Sequence, residues 1–66
     1  MYYHVYKIIN GRKNLQGIYF NIVDTAEAIG ISVVCAKKLV RNEFTVYNEK
    51  FEINKKYFSY FYPNFS

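Results

Sequence analysis

The chain carries a single cysteine, Cys35, so no disulfide can form within it and the usual staple of a small secreted domain is missing. A reducing cytoplasm is the expected compartment. His4 is the only histidine, and one imidazole with one thiol cannot supply the three or four ligands of a zinc or haem site, so neither a metal nor another cofactor is expected. A Cys-His nucleophile fares no better. Cys35 sits in Ser-Val-Val-Cys-Ala-Lys-Lys-Leu, which reads as a helix with the thiol turned inward.

Glycine is also sparse, and Gly11, Gly17 and Gly30 lie too far apart to build a phosphate-cradling loop. Acids number five, and Asp24 with Glu27 is the one pair at helical spacing inside a predicted helix. A capping aspartate and a solvated glutamate account for it without catalysis. The expectation is therefore a protein that is not an enzyme. No apolar run reaches the ~20 residues that span a bilayer, and Met1 to Lys7 lacks the regions of a signal peptide, so no membrane partner is expected.

What the chain does have is apolar and aromatic mass. Of 66 residues, 52% are hydrophobic and 21% aromatic, eight Tyr and six Phe without a Trp. That is enough to fold one small domain and too little length for two. The formal charge of +4 favours a polyanionic partner.

Tyr2 to Ile9 is rich in aromatic and β-branched residues, and Asn10-Gly11 is a strong turn signal before Leu15 to Phe20. This predicts a β-hairpin whose polar connection, Asn10 to Asn14, carries Arg12 and Lys13 at its tip as a basic finger or a solvated turn. Asn21 then reads as an N-cap for a short helix with Ile22, Thr25, Ala26 and Ile29 on one face. Gly30 supplies a left-handed stop, and Ser32 caps a second helix to about Asn42. On that helix Cys35, Ala36, Leu39 and Val40 cluster on one side. Val34, Lys37, Lys38 and Arg41 occupy the other, with Val33 on the flank. Phe44 to Tyr47 and Phe51 to Ile53 alternate like strands around Asn48-Glu49-Lys50. The fold class is thus α+β with the order ββααββ.

Residues 1–56 form the predicted domain, and 57–66 a separate aromatic segment. From Lys55 on there are six aromatics in twelve residues, broken by Pro63. Tyr57, Tyr60, Phe61 and Tyr62 are candidate interface residues. The segment can close the core as a strand, make a symmetric dimer contact, anchor at a membrane surface or stack single-stranded bases.

Ala26-Glu27-Ala28-Ile29-Gly30-Ile31-Ser32 combines a small residue where two helices cross, an aliphatic residue three further on, a glycine turn, another aliphatic and a Ser cap. With the flanking hairpins, the stretch from about Asn10 to Ile53 resembles the small winged or modular helix-turn-helix DNA-binding domains of phages and mobile elements. Thr25 stands where those usually have an aliphatic, and the wing, Asn48-Glu49-Lys50, carries one acid and one base. The resemblance implies that residues 32–42 are a recognition helix in the major groove of double-stranded DNA. It implies a phosphate at Ser32, thymine methyls at Val33 and Val34, a guanine edge or phosphate at Lys37, and backbone contacts from Lys38 and Arg41. One recognition helix per chain also implies a homodimer or adjacent copies. A protein-binding modulator using the aromatic surfaces is the alternative role.

Overall fold

The computed structural model describes residues 1–58. Strands β1 (Tyr2–Ile9) and β2 (Arg12–Tyr19) precede helices α1 (Ile22–Ile29) and α2 (Val33–Leu39), and β3 (Glu43–Val46) and β4 (Glu49–Lys56) follow. All neighbouring strands are antiparallel, in the order β2-β1-β4-β3. The expected α+β class and ββααββ order are present. The first and last hairpins are joined by pairing of β1 with β4, from Tyr2 opposite Lys56 to Ile8 opposite Lys50.

Both hairpins turn more tightly than the sequence suggested. Asn10 and Gly11 have φ of 52° and 78°, so two residues close the first turn. Arg12 and Lys13, expected at a loop tip, instead pair with Ile9 and Ile8. They can do so because β2 is an edge strand whose side chains face water, so polarity there does not oppose strand structure. Gln16 is left over between Tyr6–Leu15 and Val5–Gly17, a bulge that bends the edge. The second turn is Tyr47-Asn48, with φ of 49° and 67°, and the expected wing residues Glu49 and Lys50 lie in β4.

The helices form for local reasons. Asn21 Oδ1 accepts the Asp24 amide at 2.8 Å, and its Nδ2 donates to the Asp24 carboxylate at 3.0 Å, so one residue pair closes the start of α1. Gly30, with φ 88°, stops it, and the Gly30 and Ile31 amides both donate to Ala26 O. Ser32 Oγ then accepts the Cys35 amide at 3.1 Å. The second helix ends at Leu39, three residues before the expected Asn42. Val40 makes a parallel bridge to Ile53, and the Arg41 amide donates to Ile53 O. A β-branched residue at the end of a short helix has been recruited by the sheet.

The core lies between the helices and one sheet face. Tyr3, Ala26, Ala36 and Ile53 are its buried centre, with Ile22, Ile29, Ile31, Val33, Val40 and Phe44 packed around them. Ala36 and Thr25 are both 0% exposed. The Thr25 hydroxyl donates to Asn21 O at 2.8 Å, so a polar residue sits in the core without an unsatisfied group. Cys35, expected to face inward, is exposed. The buried stripe of so short a helix is narrow and centres on Ala36, leaving its predecessor outside. Among the described residues no helix is long and apolar enough to cross a membrane.

Candidate nucleic-acid interface

The outward face of α2 has no acid and bears two lysines in its last turn, Lys37 and Lys38, both exposed. Between them and the helix start stands Val34, 63% exposed. Neither lysine forms an ion pair among the described residues. Water-exposed valine gains nothing from solvent, and two uncompensated cations repel each other, so this face is complementary to a surface that is both anionic and locally apolar.

Val33, by contrast, is half-buried and packs on the core, which turns it away from this face. Ser32 is exposed, with its hydroxyl engaged as the cap. Arg41 lies beyond the helix with φ 69°, and its guanidinium Nη2 donates to Lys55 O at 3.2 Å. The helical ridge from Lys37 to Arg41 that the periodicity predicted is therefore two lysines on α2, with an arginine tied to the end of β4.

Lys55 takes part in a way the sequence did not indicate. It lines a shallow cleft with Tyr3, Ile22, Lys37 and Val40, so two lysines from different elements border one depression. Pairing of β4 with β1 carries Lys55 there, and no local pattern announces it.

Arg12 and Lys13 do not join this group. Lys13 pairs with Ile8, on the sheet face opposite the helices, and its ammonium lies 2.8 Å from Glu52 Oε2 and 5.6 Å from the centroid of the Tyr6 ring. Asn54 Nδ2 donates to the same carboxylate oxygen at 2.7 Å. The bond from Lys13, then that from Asn54, holds the Glu52 carboxyl below its ordinary value against the opposing effect of burial. The shared hydrogen bond correspondingly raises the Lys13 pKa. Arg12 remains exposed at the hairpin turn.

Of the aromatic interface candidates, Tyr57 is exposed, with Lys55 Nζ 5.5 Å from its ring centroid. Tyr60, Phe61 and Tyr62 lie outside the described residues. Tyr47, at the second hairpin turn, is 90% exposed; the alternating pattern had placed it within a strand. Among the described residues no group of three His, Cys, Asp or Glu side chains is placed to hold a metal ion. No family model, curated protein or solved structure matches this chain.

Proposed function

We propose that the protein binds double-stranded DNA through α2 and serves as a small regulator of transcription or recombination, of the kind phages and mobile elements use. The observation that carries this reading is Val34, exposed beside Lys37 and Lys38 on an acid-free helix face. An α-helix with its side chains is about 10–12 Å across and the major groove about 12 Å wide, so α2 matches the groove in diameter. Lys37, Lys38 and Lys55 supply phosphate contacts, and Val34 meets a thymine methyl. The burial of Ala26 and Ala36 in one core cluster and the left-handed Gly30 between the helices support it, because small residues and a tight turn let two short helices pack closely.

The test is a duplex titration over a range of salt concentrations. Affinity should fall steeply with salt, and Lys37→Glu and Lys38→Glu should each weaken binding and lower the slope of log affinity against log salt by about one or more. Duplex affinity independent of salt, or indifferent to both substitutions, would refute the reading.

A second reading, a protein-binding modulator, draws on the exposed Phe20, Tyr47 and Tyr57, residue types that protein interfaces favour. A stoichiometric protein complex combined with no duplex binding at low salt would select it.

A further inference from the structure

The sheet face opposite the helices is not covered by any described element, and its side chains are ordered in rows. On the central strand β1, alternate residues Tyr2, His4 and Tyr6 point to this side. Their rings are neighbours, with centroids 5.3 Å apart from Tyr2 to His4 and 6.0 Å from His4 to Tyr6. Phe20 and Phe58 extend the row at its Tyr2 end, 6.4 and 5.2 Å from that ring. The adjacent row, on β4, is polar: Lys56, Asn54, Glu52 and Lys50 stand opposite Tyr2, His4, Tyr6 and Ile8.

We propose that this face binds single-stranded nucleic acid, its bases stacking on Tyr2, His4 and Tyr6 while Lys50 and Lys56 meet the phosphates and the Asn54 side-chain carbonyl accepts from the base edges. The rings are partly exposed, and alternate residues on a strand lie about 7 Å apart, so a splayed strand can set its bases on successive rings. Charge selects this occupant. Lys50 and Lys56 form no ion pair among the described residues, the buried Glu52 carboxylate is already satisfied by Lys13 and Asn54, and Glu43, the exposed acid opposite Glu52 on β3, lies near Lys13. Backbone phosphates supply the countercharge, and bases the flat apolar surface, in one ligand. A protein strand or a second copy would have to desolvate both lysines. The surface lies on the other side of the sheet from α2, so this inference goes beyond the duplex reading and stands or falls without it.

A single-stranded oligothymidine of about ten nucleotides is the probe, followed by anisotropy and by NMR of the aromatic ring protons. The expected result is saturable binding that moves the ring signals of Tyr2, His4 and Tyr6. Tyr2→Leu and Tyr6→Leu should each weaken it about fivefold or more. Tyr6→Phe, which keeps the ring, should bind like the parent, and Lys37→Glu should weaken single-strand binding less than either leucine variant does. If a leucine variant fails to fold, the ring-proton shifts of the parent protein still decide. No binding at low salt, shifts confined to α2, or a parent dimer that buries these rings would overturn the proposal. Duplex binding through α2 without any single-strand response would do so while leaving the duplex reading intact.

Discussion

Lys13 and Glu52 reach each other across the full width of β1, one from β2 and the other from β4, and close at 2.8 Å beside the Tyr6 ring. Lys13 is half exposed while the Glu52 side chain is 12% exposed, so the pair ties the edge hairpin to the centre of the sheet through one sheltered carboxylate.

The pair makes stability depend on acid. The Glu52 pKa is held below its ordinary 4.5, chiefly by the Lys13 hydrogen bond, so its contribution is fully present above that value and is lost as pH falls through the depressed one. Melting temperatures of the parent should therefore drop more between about pH 5 and about pH 2.5 than those of Glu52→Gln. At neutral pH the variant should melt a few degrees lower. Parallel curves would show that the pair adds nothing.

Gly30→Ala isolates the cost of the left-handed turn. The added methyl would meet nothing within 4 Å, so the whole penalty is backbone conformation at φ 88°. Chemical denaturation should show a loss of about 1 kcal/mol with an unchanged denaturant slope, and a smaller loss for Gly30→Asn. Full stability of the alanine variant would mean that the turn relaxes.

Cys35 is exposed, and its neighbour Ala36 is the buried contact. Cys35→Ser should change stability by less than about 0.5 kcal/mol, and a thiol reagent should modify the folded protein nearly as fast as the unfolded chain. Protection of the thiol until unfolding would contradict the exposure.

What was legible in the sequence was local. Asn21, Gly30 and Ser32 act within four residues of themselves, and each caps or stops the helix it was expected to. Several misplacements come from pairing with the sheet, whereas Cys35 lies outside a narrow buried stripe and Tyr47 in a two-residue turn. Val40 and Arg41 leave the helix because Ile53 draws them to the sheet, and Arg12 and Lys13 enter a strand because β1 offers a ladder. Lys55 beside Lys37, and the rows of rings and polar groups on the open face, exist only because β1 lies next to β4. Alternation along each strand gave the facing of its residues but not its neighbour, and the candidate surfaces are properties of neighbours.

The order β2-β1-β4-β3 gives the molecule a seam. Each hairpin and the capped helix pair can form from contacts a few residues apart, whereas β1 must wait for β4, the last strand among the described residues. Loop-closure entropy then makes zipping of that seam the slow event in folding, and during synthesis β1 leaves the ribosome with one long edge unmatched until β4 follows. Hastening the refolding of this chain would call for tighter hairpins and a shorter path between them, more than for a heavier core.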